Sequence, residues 1–582
     1  MPDTSSTASP DATATMTVGA VAAAFLEACG VRCAFGVISI HNMPILDAMA
    51  QRGAIRFVPA RGEAGACNMA DAQARASGGL GVCLTSTGTA AGNAAGAMVE
   101  ALTAGTPLLH LTGQIETPYL DRDLAYIHEA PDQLTMLKAV SKAAFRVRSA
   151  DTALGTLKLA VRATMTAPRG PVSVEIPIDI QAALVPVPAD LSPLPVAVAV
   201  PAPAALDALA QRLAGARRPL LWLGGGARHA GPAVQRLLKL GFGVVTSTQG
   251  RGIVPEDHPQ SLGAYNLHAP VERFYGSCDA LLVVGSRLRG NETLKYALKL
   301  PHPHFRIDAD PAAEGRGYAC DQFVCGDAAL ALEGLADRLE ALPAGARAVD
   351  PAFAADLRAA HDAAVQSLHQ GLGPYSAVVR ALQAAVGPSF LWVRDVTVSN
   401  STWGNRELRL AGPRDGVHAT GGGIGQGLAM AVGAAVGEAV AATGDPARAP
   451  RRTWCLAGDG GFTLNLGELA TAAQEQADLT IVLMNDRGYG VIRNIQDAQY
   501  GGRRCYVDLH TPDFEAVCGA MGVAYRRVSA ADEAAAAFAA RPPGGRGPLL
   551  VEVDMTRVGA FATAFAGPPV KAGATAPAKA GG

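Results

Sequence analysis

An excess of charge of either sign is missing from this chain. Its 582 residues hold 49 Lys and Arg against 51 Asp and Glu, a formal net charge of −2. Near-neutrality provides no field to hold a polyanion, so nucleic acid is not an expected partner. Uninterrupted apolar runs of membrane-span length are missing too. The apolar stretch 184–210 is broken repeatedly by proline and reads as a linker entering a helix, so no membrane partner is expected. Residues 1–14 are rich in Ser, Thr, Ala, Pro and Asp and lack a basic segment followed by an apolar one. This predicts a disordered arm over residues 1–15 rather than a secretion signal. The ten cysteines form no C-x-x-C pair and no Cys/His cluster at metal spacing. That excludes a zinc framework and predicts free, buried thiols in a reducing cytoplasm.

What is present suffices for several cores. Apolar residues make up 49% of the chain, and 582 residues are too many for a single core, so about three domains are expected. Short apolar strands alternate with Ala-rich helical stretches through three segments, which is the pattern of parallel sheets covered by helices. The expected fold class is α/β, with three domains that each hold a central, mostly parallel sheet. The first, residues 16–183, has predicted strands at 33–36, 81–85, 107–111 and 172–176. A Pro-rich linker over 185–203 leads to the second, residues 204–342, with strands at 219–223, 243–246 and 280–284. The third, residues 353–560, has strands at 453–457, 479–484 and 549–553. The tail, residues 567–582, is mostly Pro, Ala, Gly and Lys and is expected to be disordered.

The strongest chemical signal is Gly458-Asp459-Gly460-Gly461, directly after a predicted strand and before a helical stretch over 466–476. A glycine-rich turn between strand and helix lets backbone N–H groups approach phosphate oxygens without side-chain obstruction. One more strand leads to Asn485-Asp486-Arg487-Gly488-Tyr489-Gly490. Two aspartates at the ends of strands joined by one right-handed crossover can lie side by side, where open α/β sheets bind ligands. Magnesium favours octahedral oxygen coordination. Asp459, Asp486, a backbone carbonyl, phosphate oxygens and a water would provide it.

A G-D-G turn followed 27 residues on by an Asn/Asp turn resembles the cofactor motif of the thiamine-diphosphate (ThDP) enzymes, the superfamily of acetolactate synthase, pyruvate decarboxylase and benzoylformate decarboxylase. The resemblance runs over about residues 16–558. It implies ThDP and Mg²⁺ as cofactors, with Asp459, Asp486 and the Gly488 carbonyl as metal ligands. Gly458, Gly460, Gly461 and Tyr489 would line the diphosphate, with Thr397 or Ser399 hydrogen-bonded to it. One departure is Asp486, where the family usually has Asn. An extra charge at about 4 Å is worth roughly 4 kcal/mol at an effective dielectric near 20. It attracts the metal and repels the diphosphate, so the two effects partly cancel.

ThDP chemistry needs a carboxylate against the aminopyrimidine ring, so that the cofactor's own amine can act as the base. Arg61-Gly62-Glu63-Ala64-Gly65 ahead of the helical stretch 68–75 matches the family's activating glutamate, which implies Glu63 in that role. The His that often precedes it is Gly62 here. Thr420-Gly-Gly-Gly-Ile-Gly-Gln-Gly427 resembles the loop that bends the cofactor, with Ile424 as the wedge and the Gly422 carbonyl accepting from the amine. Because family active sites form between domains of different subunits, a homodimer or homotetramer is implied.

Candidates for the substrate pocket are Ile40, His41, Asn42, Asn93, Gln114, His128, Gln133 and Lys142. Gly113-Gln114 matches a Gly-Gln near the reacting centre of acetolactate-synthase-like members. Ser39-Ile40-His41-Asn42 departs from the usual Pro-Gly-Gly or Pro-Gly-Ser, and places an imidazole that could donate a proton. Residues 400–403 and 493–496 flank the cofactor regions. In the middle segment, Gly224-Gly-Gly-Ala227, Gly250-Arg-Gly252 and Gly285-Ser-Arg-Leu288 fall where acetolactate synthases carry FAD. The expected Asp-Asp-Arg reads Arg289-Gly-Asn291, so FAD is not expected. The resemblance implies a 2-oxo acid decarboxylase or carboligase working through the C2 ylide and an enamine. The alternatives are an FAD-linked ThDP oxidoreductase and a ThDP-fold protein that binds without turnover. Glu63, Asp459 and Ile424 argue against the last, since catalysis needs all three.

Overall fold

The computed structural model describes residues 14–343, 345–445 and 449–565. The expected disordered tail lies outside them, as does nearly all of the N-terminal arm. The chain divides into two compact units. One is formed by residues up to Ala74 with Gly79–Val196, the other by Arg75–Gly78 with the residues from Ala197 on.

The first unit is built on six parallel strands: β1 (Cys33–Gly36), β2 (Arg56–Pro59), β3 (Gly81–Thr85), β4 (Leu108–Gln114), β5 (Ala143–Arg146) and β6 (Val172–Pro177). Their spatial order is β2-β1-β3-β4-β6-β5. The inner strands β3, β4 and β6 are buried along their whole length, as expected where helices cover both faces. The outer strands β2 and β5 carry Arg56 and Arg146, are only half covered, and lack the continuous apolar run that made the others legible. A short antiparallel pair, Thr15–Thr17 with Leu184–Pro186, ties the start of the unit to its end, so the predicted linker begins as a strand.

The second unit holds two sheets. The central one has β7 (Pro219–Leu223), β8 (Gly243–Thr246), β9 (Ala280–Val284), β10 (His304–Asp308) and β11 (Gln322–Cys325) in the order β8-β7-β9-β10-β11, all parallel. The other has β12 (Phe390–Arg394), β13 (Gly416–His418), β14 (Arg452–Gly458), β15 (Leu479–Asn485), β16 (Ala524–Val528) and β17 (Leu549–Asp554), in the order β13-β12-β14-β15-β17-β16, again parallel. A single apolar cluster that includes Trp222, Phe274, Phe353, Trp392 and Trp454 runs from one sheet to the other, with the helix Phe353–Leu372 between them. Three parallel α/β sheets flanked by helices agree with the expected fold class.

One helix, Gly427–Gly444, is long and apolar enough to cross a membrane by composition alone. Its residues are buried from Gly427 to Val436, and its Glu438 is held inside by Arg451. This is the pattern of a core helix packed on a sheet.

Candidate active site

In the first unit, the candidate side chains gather at the carboxyl edge of the sheet. Glu63 opens the helix Glu63–Ser77 just beyond β2, and Asn93 donates its amide to the Glu63 Oε2 at 3.1 Å. His41 follows β1, is nearly buried, and stands 3.4 Å from the Ser86 hydroxyl beyond β3. Its ring lies edge-on to His128, with centroids 5.1 Å apart. Burial, and then His128, hold its pKa below the ordinary histidine value. Ile40 is exposed beside it, whereas Asn42 is spent on its own loop, accepting from Ser39 N–H and donating to the Val37 carbonyl.

Gln114 ends β4 with its amide fully engaged. Its Oε1 accepts from the Thr87 hydroxyl at 2.9 Å and from Ile115 N–H at 2.8 Å, and its Nε2 donates to Glu175 at 3.4 Å. Gln133 joins the same network through Thr87, Gly88 N–H, the Gly113 carbonyl and Glu175. Glu175 on β6 is fully buried and is charge-matched by Arg146 of β5. Sequence reasoning passed over Glu175 and Arg146, although a glutamate inside the apolar run Val-Ser-Val-Glu-Ile is a signal, because a buried charge demands a partner. Lys142 lies apart from this network: its ammonium caps the carbonyls of Ala163 and Thr166 at the end of the helix Ala153–Met165.

In the second unit, β12, β14 and β15 are neighbours, and an aspartate follows closely on each. Gly458 and Met484 pair across β14 and β15, so Asp459 and Asp486 emerge side by side from adjacent strand ends. The helix after the turn starts at Asp459 itself and runs to Leu464; a second helix, Glu468–Gln474, replaces the single predicted one. Burial, and then the neighbouring Asp486, raise the pKa of Asp459; burial also raises that of Asp486, opposed by Arg493 at 3.5 Å. A side chain at Gly490 would displace the Asp486 carboxylate, which its Cβ would strike. Tyr489 lies flat enough over Gly460 that a Cβ there would come within 2.8 Å of its ring.

Asp395, after β12, was not singled out by the sequence reasoning. Its carboxylate accepts from Gly425 N–H at 3.0 Å and from the backbone of Val396, Gln426 and Gly427, which fixes the loop carrying Gly422 and Ile424 at the head of the long apolar helix. Burial pushes its pKa up to about 6 against those donors. Ile424 itself is exposed, at 39%. Thr397 accepts from Asn400 N–H, while Ser399 Oγ is buried with no partner. Trp403 is stacked on Trp392 in the core, and Arg493 bridges Asp486 and Asp508. Asn494 donates to the Phe565 carbonyl, and Gln496 is tied to the backbone of Cys505.

Models of the thiamine pyrophosphate enzymes match all three parts of the chain: the N-terminal TPP binding domain over residues 16–136, the central domain over 206–335 and the C-terminal TPP binding domain over 397–553. A probable 2-ketoarginine decarboxylase from Pseudomonas aeruginosa is 33% identical over 532 residues, 89% of this chain and 90% of the relative. The chain belongs to the thiamine pyrophosphate enzyme family. The isozyme 2 large subunit of acetolactate synthase from Escherichia coli is 29% identical over 525 residues, 88% of this chain and 91% of the relative. A probable acetolactate synthase large subunit from Methanocaldococcus jannaschii is 27% identical over 528 residues, covering 87% of both chains. This ThDP-dependent enzyme is accordingly a decarboxylase or carboligase of 2-oxo acids.

The C-terminal residues of this ThDP enzyme fit the group the family binds. Two orphaned buried oxygens, Asp459 Oδ2 and Ser399 Oγ, lie near a glycine turn whose Gly458, Gly460 and Gly461 leave no side chain in the way. Two carboxylates at adjacent strand ends, with a backbone carbonyl at Gly488 nearby in the chain, supply part of the oxygen donor set of a hard divalent ion. The glycines of the middle segment have a different explanation. Gly224 and Gly285, at the ends of β7 and β9, pack backbone to backbone, so that a Cβ on Gly224 would strike the Gly285 carbonyl.

Proposed function

We propose that the enzyme decarboxylates a 2-oxo acid bearing a sizeable side chain, using ThDP held by Mg²⁺, in a homo-oligomer whose active sites form between subunits. When bound, ThDP supplies the nucleophilic carbon and the electron sink for CO₂ loss. Glu63, steadied by Asn93, is the carboxylate that would hold a proton at the pyrimidine ring. Ile424 would support the bend of the cofactor, and Gly422 would accept from its amine. Asp459, Asp486 and the Gly488 carbonyl would ligate the metal, with Arg493 offsetting the charge that Asp486 adds. Thr397, Ser399, Gly458, Gly460, Gly461 and Tyr489 would line the diphosphate. His41 and Gln114 are assigned to the substrate side, the first to proton transfer and the second to ordering the pocket wall. The free cysteines support a reducing cytoplasmic setting.

The single observation behind the cofactor assignment is the pair of aspartates at adjacent strand ends, Asp459 buried with an orphaned oxygen and Asp486 half-buried beside it. Isothermal titration of ThDP into metal-free protein, with and without Mg²⁺, tests it. Tight, Mg²⁺-dependent binding is expected for the wild type and its loss for Asp459→Ala. Absence of binding by the wild type would overturn the assignment. For the reaction itself, the relative named for 2-ketoarginine makes a 2-oxo acid with a basic side chain the first substrate to assay for CO₂ release.

A further inference from the structure

Two loops of the first unit, residues 37–43 after β1 and 115–132 after β4, meet where His41 touches His128. They expose large apolar side chains that a surface loop normally hides: Ile38 at 58%, Ile40 at 65%, Leu124 at 52% and Ile127 at 72%. Glu116 lies in the second loop, at the cap of the short helix Thr117–Tyr119. Its Oε1 accepts from the Tyr126 hydroxyl at 3.3 Å, and Tyr126 is stacked on Tyr119 at 4.6 Å and 14°. Its Oε2 is buried and has no partner. His41 interacts electrostatically with Glu116, while the arginines engage other groups. Arg122 donates to the Pro118 carbonyl, and Arg146 pairs with Glu175 and with Asp121. Among the described residues, no Lys or Arg pairs with Glu116.

A carboxylate oxygen withdrawn from water without a donor is costly. An apolar side chain docking against these loops would leave that cost in place, and an anionic one would add repulsion. A cationic head on an aliphatic stem answers both features, since its N–H groups supply the missing donor while the exposed apolar side chains and the Tyr119–Tyr126 pair offer surface to the stem. We propose that Glu116 selects 2-oxo acids whose side chain ends in a guanidinium or ammonium group. This rests on the reading of the enzyme as one that acts on 2-oxo acids. The order β2-β1-β3-β4 places Glu63 and Glu116 at opposite ends of the same row of loops, three interstrand steps or about 14 Å apart. The charge-reading end is thereby kept away from the proton-holding carboxylate.

The test compares 5-guanidino-2-oxopentanoate and 6-amino-2-oxohexanoate with the neutral isostere 5-ureido-2-oxopentanoate, on holoenzyme of the wild type and of Glu116→Gln. The same comparison is made by calorimetry with unreactive 5-guanidinopentanoate and 5-ureidopentanoate. The wild type is expected to favour one of the cationic compounds about ten- to hundred-fold, in KM and in Kd. Glu116→Gln, which still accepts from Tyr126, is expected to bring that ratio close to one. A wild-type ratio near one, or a ratio unchanged in the variant, overturns the proposal. If no 2-oxo acid loses CO₂ while the unreactive pair keeps its charge preference, the reaction assignment fails and the role of Glu116 stands. CO₂ release without charge preference means the reverse.

Discussion

His110 shows how much a single enclosed side chain can bear on the whole first unit. It sits in the middle of β4 with no exposed surface, one ring nitrogen at 2.9 Å from the Thr85 hydroxyl and the other at 3.1 Å from that of Ser173. Burial holds its pKa down at about 4, whereas an imidazole in the unfolded chain titrates near 6.5. Between those values the unfolded state binds more protons than the folded one. The stability His110 contributes is therefore complete above about pH 6.5 and is lost as the pH falls toward about 4. His304, also held down at about 4 by burial, acts with the same sign. Each adds a slope of up to about 1.4 kcal/mol per pH unit in that window. Urea unfolding between pH 4 and 6.5 is expected to show a flatter dependence for His110→Asn than for the wild type; parallel curves would mean that the imidazole is not held neutral. At this scale the sequence was legible only where residues announce themselves by a turn. Asp459 and Asp486 follow glycine-rich or Asn-Asp turns. Asp395 and Glu116 follow strands with nothing beside them to mark their use, and the groups they serve lie up to some thirty residues away in the chain.

Among the elements, the loop 420–427 depends on one tether. Asp395 holds three consecutive backbone N–H groups there, at the entrance of the helix Gly427–Gly444, where such groups have no intrahelical acceptor. Asp395→Ala removes the acceptor and leaves these donors buried, so a loss of about 2–4 kcal/mol is expected in urea unfolding. Weaker binding of ThDP should accompany it, because Gly422 and Ile424 ride on that loop. Stability lost without any change in ThDP affinity would show that the loop does not touch the cofactor. The elements themselves were read well where both faces are covered. Strands β1, β3, β7, β8 and β9 fall on their expected residues, and β14, β15 and β17 exceed them by a residue or two. Outer strands such as β11 and β16 escaped notice. Arg526 and Arg527 in β16 are exposed on opposite faces of this edge strand, and the strand is made by its pairing with β17 rather than by its own pattern.

On the scale of the whole molecule, the middle and last sheets are joined by a buried ion pair. Arg251 and Glu256, almost without exposure, lie beyond β8 of the central sheet. They engage the carbonyls of Arg406 and Leu408 and the N–H of Leu410, in the segment after β12. Gly250-Arg-Gly252, which falls where acetolactate synthases carry FAD, thus serves here as a docking device between the two sheets. Glu63 and Asp459, by contrast, belong to different compact units. The proposal that active sites form between subunits leads to a mixing experiment. Glu63→Gln and Asp459→Ala chains should each be inactive alone. Unfolded together and reassembled as random dimers, half would be hybrids with one intact site of two, restoring about a quarter of wild-type activity. Sites built within one subunit would restore none.

In the first and last sheets, Glu63, His41 and Glu116 on one and Asp395, Asp459 and Asp486 on the other lie beyond the carboxyl ends of the strands, with Gln114 the last residue of its own. Packing instructions and chemical instructions are thus written in separate stretches of the chain. A lineage can rewrite 37–43 and 115–132 to suit a new substrate while inheriting the route by which the sheet folds. Transplanting those two loops between relatives would carry a substrate preference from one to another without redesigning the sheet.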